Sequence, residues 1–217
     1  SISLKGLSQL ESLKTLKIKG CFGLSSFDAP PEHALPSLEY LEIGSCGIVS
    51  ELLSLILQHA PALTELNLKN CPELESLQLN SCTTLQKLRV YNCESLGTLE
   101  VLQSRSLRDM EVYHVPKLKS LQLHSCTAME ELVIRGAAVC MLRGSQSLRQ
   151  LRLHASQYLE SLHLCSCTAL QELDIWRCAS LSTLVGFQSL GSLRRLILHD
   201  CCGLHSCLEG LPEQDYE

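Results

Sequence analysis

The sequence predicts a leucine-rich repeat solenoid, α/β in class but mostly β. It should have about nine coils, a parallel concave sheet, and a convex side of extended chain or short strands with one short helix. Three observations predict it. The frame L-x-x-L-x-(L/V)-x-x-C recurs from Leu13, Leu38, Leu63, Leu85, Leu107, Met129, Leu148, Leu170 and Leu193, at intervals of 25, 25, 22, 22, 22, 19, 22 and 23 residues, which is the spacing of one solenoid coil. The same frame also starts at Leu74, Leu118 and Leu159, each eleven residues after a regular start. A longer period overlies both, as "LESLQLNSCTTLQKL", "LKSLQLHSCTAMEEL" and "LESLHLCSCTALQEL" begin at 74, 118 and 159. A two-coil unit has been duplicated, and the half-coil frames place a second strand on the opposite side of each coil.

Within the frame, period-2 alternation buries positions 4 and 6 and turns positions 3, 5 and 7 outward. Weaker half-coil frames, "LGTLEV" at 96–101 and "LSTLVG" at 181–186, extend the second row of strands, which should form a back sheet from about residue 74. One coil differs, because "ELLSLILQH" has helical spacing, Ser50 is placed to cap it, and Pro61 follows its end. "DAPPEHALPS" at 28–37 reads as a Pro-rich loop. The solenoid is expected over 1–207, as the C-terminal part of a larger protein. An acidic tail, 208–217, carries too few apolar residues to order itself.

Of the 217 residues 45% are hydrophobic and 19% charged, enough for a sizeable core. The opening "SISLKGLSQLESLK" is too polar for a signal peptide, and no apolar run approaches the roughly 20 residues of a membrane-spanning helix. A soluble chain is expected. The net charge of −5, with no run of basic residues, argues against a nucleic-acid surface.

The two faces differ in what they expose. The back strands present Ser76, Gln78 and Asn80; Ser120, Gln122 and His124; Ser161, His163 and Cys165, a small, polar, repetitive set. The front strands are varied. Position 7 runs Lys19, Gly44, Lys69, Tyr91, Tyr113, Arg135, His154, Trp176, His199, and position 5 includes Arg89, Glu111, Arg152 and Asp174. Position 3 adds Tyr40, Glu65, Lys87 and Glu131. Tyrosine, tryptophan and arginine dominate binding hot spots, so the protein-binding candidates are Tyr40, Lys69, Arg89, Tyr91, Glu111, Tyr113, Arg135, Arg152, His154, Asp174, Trp176 and His199. The competing reading is that these are strand-favouring residues shielding one another along a parallel ladder.

Thirteen cysteines would suggest disulfides in a secreted chain. Nine of them, Cys21, Cys46, Cys71, Cys82, Cys93, Cys126, Cys167, Cys178 and Cys201, instead occupy position 9, where the chain leaves the strand. A thiol there is small, buried and able to donate weakly to a neighbouring coil's carbonyl. Free thiols imply a reducing compartment. His199, Cys201, Cys202, His205 and Cys207 crowd together and could hold adventitious metal, but their spacing matches no structural zinc pattern. The nucleotide-binding, metalloprotease and nucleophile-elbow motifs are missing, and His154 with Asp174 is the sort of pair that a sheet places by chance. No enzyme, cofactor or small-molecule substrate is implied.

The frame L-x-x-L-x-(L/I)-x-x-C-x-x-L, in "LKTLKIKGCFGLSSF", "LPSLEYLEIGSC" and "LQELDIWRCASLSTL", resembles the leucine-rich repeat region of plant intracellular nucleotide-binding immune receptors, particularly those of grasses. That resemblance implies a cytoplasmic or nucleocytoplasmic module that reads a pathogen effector protein, or restrains the receptor's own ATPase domain, through its concave face. The chain departs from that pattern in lacking "LP" after most frames and in its back strands. "LLSLILQHAPALTELNLKNCPELESL" is similar to the repeats of F-box substrate receptors for ubiquitin ligases, which carry a helix behind almost every coil. A purely structural scaffold is the third alternative.

Overall fold

The computed structural model describes residues 2–3, 9–26, 35–102, 104–124, 126–139, 141–144 and 146–204. The expected acidic tail, His205, Cys207 and all but the last three residues of the expected Pro-rich loop lie outside them. Strands are numbered along the chain. Nine make one parallel front sheet: β2 (Thr15–Lys19), β4 (Tyr40–Gly44), β5 (Glu65–Lys69), β7 (Lys87–Tyr91), β9 (Asp109–Tyr113), β11 (Glu131–Arg135), β13 (Gln150–His154), β15 (Glu172–Trp176) and β17 (Arg195–His199). Every neighbouring pair matches residue for residue over all five positions. The leucine frame therefore sets the register, since a slip of one would turn the apolar positions out to water.

Six further strands make the parallel back sheet: β6 (Ser76–Gln78), β8 (Thr98–Leu102), β10 (Ser120–His124), β12 (Met141–Arg143), β14 (Ser161–His163) and β16 (Thr183–Val185). A third, two-stranded sheet joins β1 (Ile2–Ser3) to β3 (Leu24–Ser26) behind the first coil. The sequence does not announce β12, since "MLR" carries no leucine frame. Its coil is the short one of 19 residues, and the missing residues are absorbed on the back, where the pairing of β12 with β14 slips.

Between the sheets lies one continuous core. Position-4 and position-6 residues from Leu41 and Ile43 to Leu173 and Ile175 are buried, as are the half-coil leucines Leu74, Leu96, Leu118, Leu159 and Leu181. Each fully buried leucine contributes roughly 1.5–3 kcal/mol relative to exposure. The outer strands β2 and β17 are less enclosed, as Leu16, Leu196 and Leu198 are only partly buried.

One α-helix, α1 (Ser50–Gln58), is present among the described residues, and it buries Leu52, Leu53, Ile56 and Leu57. The capping role expected of Ser50 is not what the structure shows. Val49, with extended backbone, occupies the N-cap without a side-chain bond, and Ser50 begins the helix. Its hydroxyl accepts a 2.9 Å hydrogen bond from the amide of Ser76. That amide belongs to the edge strand of the back sheet, where an unpaired donor would invite another strand, so Ser50 tethers the helix and closes the edge together. A single helix-backed coil is not the helix-on-every-coil arrangement of the F-box alternative. No described helix is long and apolar enough to cross a membrane.

The cysteine ladder follows from how each coil leaves its strand. Position 8 takes a left-handed backbone in all nine coils, from Gly20 and Ser45 to Arg177 and Asp200, and its amide still bonds the position-7 carbonyl of the next coil, as Ser45 does to Lys69 at 2.8 Å. The chain then turns in, and position 9 caps what the ladder leaves open. Cys46 reaches the carbonyl of Ile18 at 3.6 Å, Cys71 that of Ile43 at 3.7 Å, Cys178 that of Leu153 at 3.7 Å and Cys201 that of Ile175 at 3.4 Å. Each is a position-6 carbonyl one coil back. All eleven described cysteines are free thiols.

Candidate functional site

In-register pairing stacks the outward positions of the front sheet into three columns. Position 7 brings Lys69, Tyr91, Tyr113, Arg135, His154, Trp176 and His199 side by side in that order. The Tyr91 and Tyr113 rings lie 4.9 Å apart and tilted by 53°. Cations bracket the pair, with Lys69 Nζ 5.7 Å from the Tyr91 ring centre and the Arg135 guanidinium 5.2 Å from that of Tyr113. Further along, Trp176 meets His154 edge-on at 5.7 Å and His199 at 6.0 Å, and Arg177 covers its face at 4.7 Å. These contacts are the mutual shielding that the competing reading expects. It is incomplete, for Trp176 remains 38% exposed.

Position 5 departs from the expectation that it faces solvent. Glu42, Asn67 and Val133 are 4%, 4% and 8% exposed, because long neighbours fold over them. The Glu42 carboxylate is held by Lys19 at 3.0 Å, Lys69 at 3.6 Å and Lys17 at 3.7 Å, and accepts from the Tyr40 hydroxyl at 3.1 Å. The ammonium of Lys19 holds its carboxyl below the usual carboxylate range, against the pull of burial, with Tyr40 and Lys69 adding to the effect. Gly44, between Lys19 and Lys69 in the ladder, leaves room for both to converge. Asn67 donates to the Tyr40 oxygen at 2.9 Å and to Glu65 at 3.1 Å. Arg89 continues the line from Glu65 to Glu111, which accepts from the Tyr91 hydroxyl. Burial, and then the neighbouring Glu111 carboxylate, raises the Tyr91 and Tyr113 phenols, so both stay protonated.

The C-terminal half is more loosely tied. Arg152 pairs with Glu131 at 2.6 Å, and His154 Nε2 lies 3.3 Å from Asp174. The other ring nitrogen of His154 is buried and has no hydrogen-bond partner, so the pair lacks a hydroxyl or thiol on its far side. Trp176 Nε1 donates to His199 Nδ1 at 2.7 Å, while Asp200 sits 3.2 Å from that same nitrogen. The two contacts are alternatives, since Nδ1 offers a lone pair to the indole or a proton to the carboxylate. No group of three or more His, Cys, Asp or Glu able to hold a metal occurs among the described residues.

All twelve residues singled out in the sequence thus lie on one sheet face. Glu42, Asn67 and Glu65, which knit its first half together, were not among them. An acid among outward cations in the frame is the signal for Glu42; nothing in the sequence marks Asn67. The position-8 edge carries a second ladder, with Asn92 donating to Asn70 at 2.9 Å. Beside it a hollow of about 380 Å³ is lined by residues that include Asn92, His114, Gly136, Ala155 and the 75% exposed Tyr158.

Two of the solved structures with a similar fold illustrate it. In "Crystal structure of TLR13-ssRNA13 complex" the similarity has a TM-score of 0.52 at 19% identity, over 91% of this chain and 37% of that one. In the leucine-rich repeat domain of the type III effector XopL it has a TM-score of 0.52 at 19% identity, over 96% and 69%. This chain therefore spans little more than a third of the first of these. Comparison with curated protein sequences finds no match. Residues 4–115 match the family described as plant disease resistance protein RPS2-like, leucine-rich repeats. With over half of its length in that match, the chain belongs to the leucine-rich repeats of the plant disease resistance protein RPS2-like family.

Proposed function

We propose that this chain is the protein-recognition region of an intracellular plant immune receptor, docking a pathogen effector, or the receptor's own ATPase domain, on the nine-stranded face. The observation that carries the reading is the contrast between two sheets with the same backbone demands. The back sheet opens its strands on serine or threonine in all but Met141, follows with Gln78, Glu100, Gln122, Arg143, His163 and Val185, and carries no outward aromatic ring of tyrosine or tryptophan. The front sheet gathers four aromatic side chains, Tyr40, Tyr91, Tyr113 and Trp176, with the histidines His154 and His199 and cations within reach of them, and leaves Trp176 partly exposed, which is the composition of an interface core. The free thiols fit a reducing cytoplasmic or nucleocytoplasmic setting.

The test compares the triple variant Tyr91→Ala, Tyr113→Ala, Trp176→Ala with Gln78→Ala, Gln122→Ala, His163→Ala in the full receptor. Each desolvated aromatic anchor is worth about 2 kcal/mol, so the front variant should lose effector binding or become constitutively active. The back variant should behave as wild type. Loss from the back variant alone would invert the assignment.

A further inference from the structure

Position 7 is the one outward column of the nine-stranded face without an acid. Position 3 mixes the acids Glu65, Asp109, Glu131 and Glu172 with the cations Lys87 and Arg195, whereas position 7 holds Lys19, Lys69 and Arg135 and no carboxylate. In a chain of net charge −5, a strip free of acids along one edge is a departure from the average. Lys19 is committed to Glu42 at 3.0 Å, and the other two cations of the column are held more loosely. Arg135 makes no ion pair among the described residues and rests on the Tyr113 ring, while Lys69 shares Glu42 with two other lysines and leans on Tyr91. A cation over a ring in water contributes about 0.5–1 kcal/mol, so Arg135 can turn to a carboxylate without first breaking an ion pair.

We infer that the position-7 edge takes an extended acidic segment of a protein partner, with one apolar side chain seated in the hollow beside Gly136, Ala155 and Tyr158. This rests on the protein-docking reading above and names the partner's chemistry. From Lys69 to His199 the column crosses seven strands, six steps of about 4.8 Å, a span that an extended chain covers in about nine residues. The hollow lies behind the column, where the small position-8 residues Gly136 and Ala155 leave space beside Asn92 and His114, and Glu94 on its wall leaves the apolar side chain, not a carboxylate, as what it takes. Its volume of about 380 Å³ admits one leucine or phenylalanine side chain. A single-stranded nucleic acid would also use aromatics and cations. Its phosphates, one at every nucleotide, would outnumber the three cations of the column, whereas a peptide can set a carboxylate only where a cation stands, so the acidic peptide is favoured.

Trp176 is the only tryptophan of the chain and sits in the column, so its fluorescence reads occupancy directly. The probes are a peptide of about nine residues alternating glutamate with leucine, the same peptide with glutamine or lysine in place of glutamate, and an oligouridylate of matching length. The glutamate peptide alone should shift the emission, and high salt should weaken it about tenfold or more, as for charge-steered association. Arg135→Glu should abolish that response, Tyr158→Ala should weaken it several-fold, and Gln122→Ala on the back sheet should leave it unchanged. An equal response to the glutamine or lysine peptide, a response to the oligouridylate, or no response to any probe would each overturn the acidic-segment proposal. The docking reading stands or falls separately, by the front and back triple variants against the intact partner.

Discussion

Met141 on β12 lies opposite His163 on β14, two residues beyond Ser161, and that is the sole pair joining these strands. The other back strands are joined by three to five pairs, and the front strands of the same coils by five. The 19-residue coil is thus fully fastened in front and barely fastened behind. Amides of Leu142 and Arg143 should exchange with solvent markedly faster than those of Leu132 and Ile134 across the core, because local opening follows the fewest ladder bonds. Equal protection would mean the seam is closed in solution.

Gly144, just past that seam, is tied down by geometry. It has φ +76, and a Cβ there would stand 2.6 Å from the carbonyl oxygen of Leu123. Gly20 has φ +70 with nothing within 4 Å. Gly20→Ala should therefore cost only the left-handed penalty of about 1–2 kcal/mol, partly offset by a stiffer unfolded chain. Gly144→Ala should exceed it by about 1 kcal/mol or more, since backbone must move to relieve the overlap. Coincident urea midpoints for the two variants would remove the close contact.

The position-9 thiols should be unreactive in the native protein. Burial pushes Cys82 up to about 12 and Cys126 and Cys178 to about 11, leaving little thiolate at neutral pH. Cys71 is raised furthest, first by its hydrogen bond with Cys93 and then by burial, and the same bond lowers Cys93. Both are wholly buried, so no reagent reaches the more acidic partner. Peptide mapping after brief alkylation should find Cys165 and Cys202, both exposed, modified first and Cys82, Cys93 and Cys178 spared until denaturant is added. A disulfide at Cys93 or Cys178 in reduced protein would contradict the ladder.

The front register was legible because leucine frames repeat on one period, and a parallel ladder between equal frames admits one alignment. Where the period broke, legibility stopped. The "AAVCMLRGSQ" stretch holds β12 with one leucine and no frame, so the strand and its slip appear only once neighbouring coils constrain it. The candidate residues were placed on the right face by alternation alone. Their partners were not, because the Tyr40–Asn67 and Arg89–Glu65 contacts join residues 27 and 24 apart through the rotamers of long side chains. Burial of Glu42 is the sharpest case, for period-2 logic turns it outward and three lysines then close over it.

Leu88 and Leu173 test the register itself. Both occupy position 4 and are 0% and 1% exposed, packed between consecutive coils. Leu88→Ala and Leu173→Ala should each cost about 2–5 kcal/mol by the cavity they open. Leu10→Ala, at 47% exposure, should cost within about 0.5 kcal/mol as an ordinary surface change. Chemical denaturation of the three variants separates them, and a core pair no worse than Leu10→Ala would place the wrong residues inside.

Glu42 gives the fold an acid-sensitive joint. Its carboxyl is held below the usual carboxylate range, first by Lys19. A depressed folded-state pKa means that the carboxylate's contribution is fully present above the unfolded value and is lost as pH falls through the folded one. The wild-type chain should therefore lose stability below about pH 4.5 as Glu42 takes up a proton and Lys17, Lys19 and Lys69 are left facing one another. Glu42→Gln removes the charge at every pH. It should cost about 1–3 kcal/mol at neutral pH, the range for hydrogen bonds to a charged group, and the gap between variant and wild type should close on acidification. Glu39→Gln, which breaks the exposed 3.0 Å pair with Lys14, should leave the pH profile nearly unchanged, as exposed pairs contribute little. Thermal melts of the three proteins across the acid range decide it, and a gap that widened toward low pH would show that Glu42 is not held as the carboxylate.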